Sequence, residues 1–116
     1  MVVDQAQASN DRLFHALSDT TRRDILRRTM QQEFSVSGLA RLYPMSFAAV
    51  QKHVAILELA KLVTKERRGR EQLVRGNVAA VRRASGVLAQ YEALWRHRVN
   101  QMDQILAEDT TKEVNP

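Results

Sequence analysis

The chain has 116 residues, enough for one domain with a modest core, and no cysteine, which excludes disulfides, thiolate metal sites, iron–sulfur clusters and thiol nucleophiles. With 18 Lys+Arg against 13 Asp+Glu it carries a formal charge of +5, and a pI near 10.2 points to an acidic partner, with nucleic acid favoured over an anionic membrane. Residues 1–10 lack the apolar core of a signal peptide and no run reaches the ~18 apolar residues of a membrane span, so a cytoplasmic location without a membrane partner is expected.

Residues 1–8 show no periodic pattern and are expected to be flexible, with Ser9 or Asn10 capping a first helix that carries Leu13, Phe14 and Leu17. Ser18 and Asp19 interrupt it. Asp19 is a good N-cap for a second helix from Thr20 to about Gln31, in which Ile25, Leu26 and Met30 turn inward and Arg22, Arg23, Arg27 and Arg28 lie mostly outward. Those four arginines read as a solvated face partnered by Asp24, or as a phosphate-contacting surface. A short helix follows, with Ser35 or Ser37 as N-cap and Leu39 and Leu42 as its apolar pair, before the break at Tyr43, Pro44 and Met45.

The stretch after that break organises the chain. Pro44 ends one helix and Ser46 can cap the next, predicting a helix over residues 46–60. Phe47, Val50, Val54 and Leu57 recur at spacings of three, four and three, which makes them its core stripe. Ala48, Ala49, Gln51, Lys52 and Ala55 fall elsewhere. They are small, or polar and able to donate, a composition that lets a helix approach a DNA groove closely. Two helices joined by so tight a turn form a helix-turn-helix, whose second helix enters the major groove.

Residues 61–75 change character. Leu62, Val63 and Thr64 lead into one strand, Gln72, Leu73 and Val74 form another, and Arg68, Gly69 and Arg70 make the turn, with Gly69 supplying positive φ. Lys61, Lys65, Arg67, Arg68, Arg70 and Arg75 outnumber Glu66 and Glu71. A basic hairpin directly after a helix-turn-helix reads as the wing of a winged helix, able to grip phosphates or enter a narrow minor groove.

Asn77 caps a final helical pattern running to about Leu106, with a break expected at Ser85 and Gly86. Leu88, Tyr91, Trp95, Val99, Met102 and Leu106 recur every three or four residues, widened by Leu94 and Ile105. A helix of about 30 Å exceeds what a small core can cover, so part of this stripe is expected to meet a second copy of the chain. Residues 108–116 are expected to be a flexible tail.

No catalytic constellation emerges. His15, His53 and His97 are tens of residues apart, and there is no Gly-rich phosphate loop, no Gly-x-Ser-x-Gly and no His-Glu-x-x-His. His97 has no carboxylate or histidine three or four residues away. An enzyme is not expected, nor is a cofactor.

With these elements laid out, the sequence resembles the ArsR-type family of bacterial winged-helix repressors from about Leu13 to Val74. Residues 16–26, A-L-S-D-T-T-R-R-D-I-L, look like the family's second-helix signature, with Thr20 where a proline is usual. Ser46, Val50, His53, Leu57, Ala60, Leu62 and Val63 match its recognition-helix pattern, with Val54 in place of leucine and Lys61 in place of glycine. Residues 67–70, R-R-G-R, look like its wing. Many members sense metals through cysteines before the turn or Asp/His pairs on the last helix. Neither set is present, so the resemblance implies the branch without a metal site.

The expected fold is mainly α with a small β-hairpin: a winged helix-turn-helix over residues 9–76 and a helical dimerisation region over 77–107. The expected function is a homodimeric transcriptional repressor on an inverted-repeat operator in double-stranded DNA. Ser46, Phe47, Ala49, Gln51, Lys52 and His53 on the recognition helix, and Lys65, Arg67, Arg68 and Arg70 on the wing, are the expected DNA contacts. Two alternatives stay open: a winged-helix protein-interaction module, and a repressor relieved by a small-molecule inducer at the dimer interface near Trp95.

Overall fold

In a computed structural model the described residues are 4–114, with side chains described for 4–109. The chain folds in the order α1 (Gln5–Leu17), α2 (Thr20–Gln31), β1 (Phe34–Ser35), α3 (Val36–Ala40), α4 (Phe47–Leu59), β2 (Val63–Arg68), β3 (Glu71–Gly76) and α5 (Val78–Val114). Two compact units result, residues 1–84 and residues 85–116.

Local capping chemistry sets most boundaries in the first unit. The side chains of Asp19, Ser35 and Ser46 accept hydrogen bonds from the backbone N–H groups of Arg22, Gly38 and Ala49, which starts α2, α3 and α4 at those places. The first helix begins earlier than expected. Asp4 caps it by accepting from the Ala6 N–H, and residues 5–8 are helical although they carry no apolar period. Residues 1–3 and 115–116, part of the expected loose ends, lie outside the described residues.

Helix α4 closes with a left-handed turn. Lys61 has φ +63°, its N–H bonds the Glu58 carbonyl at 2.9 Å, and the Leu62 N–H bonds the Leu57 carbonyl at 3.0 Å. These two bonds make a Schellman cap. A non-glycine residue there pays a steric cost of about 1 kcal/mol, offset by the two carbonyls satisfied. Asn77 ties the cap to the start of α5, donating from Nδ2 to the Lys61 carbonyl (2.9 Å) and from its backbone N–H to the Leu62 carbonyl (2.8 Å).

The wing is a three-stranded antiparallel sheet of order β1-β3-β2, not the two-stranded hairpin expected. Phe34 pairs with Val74 and Ser35 with Leu73, so the two-residue β1 gives the hairpin a third strand beside α3. Strands β2 and β3 pair from Val63 opposite Gly76 to Arg68 opposite Glu71, with Gly69 (φ +65°) in the turn.

The core of this unit joins Leu13 and Ala16 of α1, Ile25 of α2, Leu39 of α3, Val50, Val54 and Leu57 of α4, Leu62 just after it, Val63 and Val74 of the sheet, and Ala80 and Ala84 of the first turns of α5. Burying each Leu, Ile or Val contributes ~1.5–3 kcal/mol relative to exposure. Three expected core positions differ. Phe47 is 47% exposed because α4's first turn extends past the core and the stripe is buried only from Val50 onward. Leu42 is exposed because α3 ends at Ala40, and Met30, in the last turn of α2, is partly exposed.

The second unit is the remainder of α5. The helix runs through Ser85 and Gly86 without a break and continues past Leu106 to Val114. Two weak helix formers cost about 1 kcal/mol, too little to interrupt a helix propagating from both sides. On this segment Leu88, Tyr91, Leu94, Trp95, Met102, Ile105 and Leu106 are all exposed, and Val99 is half-buried. No helix among the described residues is long and apolar enough to cross a membrane.

Candidate nucleic-acid interface

Helix α4 separates two kinds of surface. Val50, Val54 and Leu57 point into the core, while Ala48, Gln51, Lys52, Ala55 and Leu59 are exposed at spacings of three, one, three and four, forming one continuous outer strip. Ser46 and Phe47 are exposed at its N-terminal end. Ala49 is half-buried, so the outer strip passes through Ala48 instead. Lys52 has no acidic partner among the described residues, and its charge projects from a surface of methyl groups and one carboxamide.

His53 is half-buried and faces α2. Arg22, expected to point outward, is only 7% exposed. It donates from Nε to the Ala16 carbonyl (2.9 Å) and from Nη2 to the His15 carbonyl (3.1 Å), while Nη1 lies 3.1 Å from His53 Nδ1. Guanidinium can only donate, so this contact makes Nδ1 the acceptor and puts the imidazole proton on Nε2. Asp19 Oδ1 is 3.9 Å from the same nitrogen, and the Arg22 N–H it accepts holds the Asp19 carboxyl below its ordinary pKa. Arg23 donates from Nη1 to the Leu17 carbonyl at 2.8 Å. Two arginines of the run therefore cap α1, and Arg22 also braces the recognition helix.

The other two arginines of the run meet Asp24, which bonds Arg27 and accepts from Arg28 Nε at 2.8 Å and from the Tyr43 hydroxyl at 2.6 Å. The Arg28 guanidinium lies 5.9 Å from the centre of the Tyr43 ring. Hydrogen bonds from Tyr43 and Arg28 hold the Asp24 carboxyl down at about 2, and burial together with the bond to Asp24 pushes the Tyr43 hydroxyl up to about 12. This network pins the turn between α3 and α4 to α2. The arginine run is thus mainly structural, and the phosphate-binding reading of it does not stand.

The wing's basic residues divide. Lys65 Nζ lies 3.4 Å from Glu58 of α4. Arg68 reaches Glu33 at 3.2 Å and Glu66 at 3.3 Å, and Arg75 reaches the other Glu33 oxygen at 2.5 Å. The Arg75 and Arg68 guanidinium groups lower the Glu33 carboxyl's pKa, and Glu33 raises that of Arg75. Arg67 makes only a 3.4 Å bond to the Gly69 carbonyl, and Arg70 has no acidic partner among the described residues. Glu33 had no local signal: it lies between α2 and β1, 35 residues from Arg68. Among the described residues no group of three or more His, Cys, Asp or Glu could hold a metal ion.

No family model matches the chain. An HTH-type transcriptional regulator of Mycobacterium tuberculosis is 44% identical over 55 residues, which make up 47% of this chain and 51% of that protein, so the match spans about half of the relative's length. The ArsR-like transcriptional regulator from Rhodococcus sp. RHA1 is 32% identical with a TM-score of 0.77, and the alignment covers 88% of this chain and 96% of that one. The chain belongs to the ArsR family of transcriptional regulators. The fold is shared with a homodimeric winged helix-turn-helix DNA-binding domain from Mycobacterium bovis, a possible ArsR-family regulator, at 23% identity, a TM-score of 0.62 and coverage of 79% and 89%. Two ArsR-pattern departures in this member now have a local account. Lys61 occupies the glycine position in the left-handed conformation a glycine would take, and Thr20 starts α2 without proline because Asp19 already caps it.

Proposed function

We propose that this ArsR-family protein is a homodimeric, sequence-specific DNA-binding repressor acting in the cytoplasm. The observation that carries the reading is the outer strip of α4: small side chains, one carboxamide and one unpaired cation left exposed on a helix whose opposite face is fully buried. That strip suits a major groove. Gln51, with Ser46, reads base edges, and Phe47 and Ala48, with Ala49 at the margin, meet thymine methyl groups. Lys52, Arg67 and Arg70 neutralise phosphates, and the His53 Nε2–H, directed by Arg22, is a further phosphate donor. Lys65 and Arg68 contribute less directly, since each already has a carboxylate partner.

Dimerisation rests on residues 85–109. Leu88, Tyr91, Trp95, Met102 and Leu106 expose an apolar stripe with Val99 between them, and a stripe of that length with an exposed tryptophan marks an interface with another chain. Two copies place two recognition helices in successive major grooves about 34 Å apart, which requires an inverted-repeat operator.

The test is binding to duplexes selected from a random pool, followed by fluorescence anisotropy across salt concentrations. If the dimer neutralises about eight phosphates, affinity falls roughly 10⁴-fold between 50 and 200 mM salt. A flat salt response, or a selection that returns no preferred sequence, overturns the reading.

A further inference from the structure

Glu33 stands outside every DNA-contacting position named above, yet it holds two wing arginines at once. One of its oxygens meets Arg68 and the other Arg75, and Glu66 adds a second carboxylate to Arg68. Arg68 is a strand-end residue beside the wing tip, and the phosphate backbone of a duplex would compete with Glu33 for its guanidinium. We propose that Glu33 is an affinity-determining residue of the wing: it keeps Arg68 neutralised in the free protein, so that wing docking on DNA requires Arg68 to exchange a carboxylate for a phosphate. This rests on the DNA-binding reading of α4 and the wing.

The geometry separates this role from that of a simple scaffold. All three arginine–carboxylate contacts involve well-exposed guanidinium groups, with Arg68 57% and Arg75 61% exposed. Exposed ion pairs of this kind add little to folding stability, so their consequence falls on ligand binding. The sheet that carries Arg68 is positioned independently by the pairing of β1 with β3 and by burial of Val63 and Val74. Releasing Glu33 therefore changes available charge more than it changes wing geometry. Because phosphate contacts carry no base information, the effect is the same on all sequences.

The experiment compares wild type, Glu33→Gln, Arg68→Ala and the double variant on a duplex selected by the wild-type protein and on a scrambled duplex of the same composition. Glu33→Gln is expected to bind both duplexes about tenfold more tightly and to steepen the salt slope by about two, one released arginine per protomer. The gain is expected to vanish in the Arg68→Ala background, which separates the specific exchange from a general rise in charge. Unchanged or weaker binding by Glu33→Gln, or a gain that survives in the double variant, overturns the proposal while leaving the DNA reading intact. Absence of salt-dependent binding by wild type overturns both. Should Glu33→Gln lower the thermal midpoint, the single-arginine variants decide. Arg68→Ala is expected to cost less affinity than Arg70→Ala, and an equal or larger cost overturns the exchange.

Discussion

On α4, Lys52 projects with no acidic partner among the described residues, whereas on the wing Lys65 meets Glu58 and Arg68 meets Glu33 and Glu66. The two regions also differ in what holds them. The recognition helix is braced from behind by buried or half-buried hydrogen bonds, Arg22 to His53 and to the α1 carbonyls, and Asp24 to Tyr43 of the preceding turn. The wing is braced by exposed ion pairs. A buried donor or acceptor that loses its partner costs far more than an exposed pair that falls apart in water. Anchoring is therefore concentrated behind α4, and adjustable charge is concentrated on the wing.

Four measurements would break or sharpen this contrast. Arg22→Ala removes the cap on α1 and strands the carbonyls of His15 and Ala16, and should destabilise the fold by about 2–3 kcal/mol in urea unfolding. Arg70→Ala at the wing tip should stay within about 0.5 kcal/mol of wild type. Equal costs would show that α4 is not anchored as argued. Next is the pH dependence of Asp24. Its folded pKa of about 2 lies below its ordinary value of 3.8, so the stabilisation is complete above the ordinary value and is lost as pH falls toward 2. Discounted for partial exposure, the loss is about 1–2 kcal/mol. The stability gap between wild type and Asp24→Asn should shrink over that range, and a gap independent of pH would remove Asp24 from the bracing.

Lys61→Gly should act in the opposite direction, raising stability by about 0.5–1 kcal/mol because glycine adopts the left-handed turn without a Cβ penalty. Thermal denaturation would show it, and a lowered midpoint would contradict the strain assigned to Lys61. The smallest effect is expected from Lys65→Ala, which breaks the 3.4 Å pair with Glu58 and should change unfolding free energy by less than about 0.5 kcal/mol. A larger loss would mean that the wing depends on its ion pairs for folding and would erase the contrast.

How much of the site could be read in advance depended on how local its causes were. Ser46, Gln51 and Lys52 were legible because a cap and a period of 3.6 lie within one short window. Arg22 was misplaced because helical spacing gives a side chain's direction but not whether a neighbouring helix end needs its donors. Arg68 was read as a free contact because Glu33 is distant in sequence. The start of α1 was missed for a different reason: residues 5–8 are helical by propensity and by the Asp4 cap, without the apolar period used to find helices.

The amino-acid order alone determined the starts of α2, α3 and α4, the buried stripe of Val50, Val54 and Leu57, the Gly69 turn and the basic balance, since each follows from side chains acting on backbone a few residues away. Only the tertiary structure decided which cations remain available. It buried Arg22 against α1, added β1 as a third strand, and brought Glu33 and Glu58 to the wing. An ion pair or a strand pairing between distant residues depends on where the fold delivers them, and no spacing in the chain encodes that meeting.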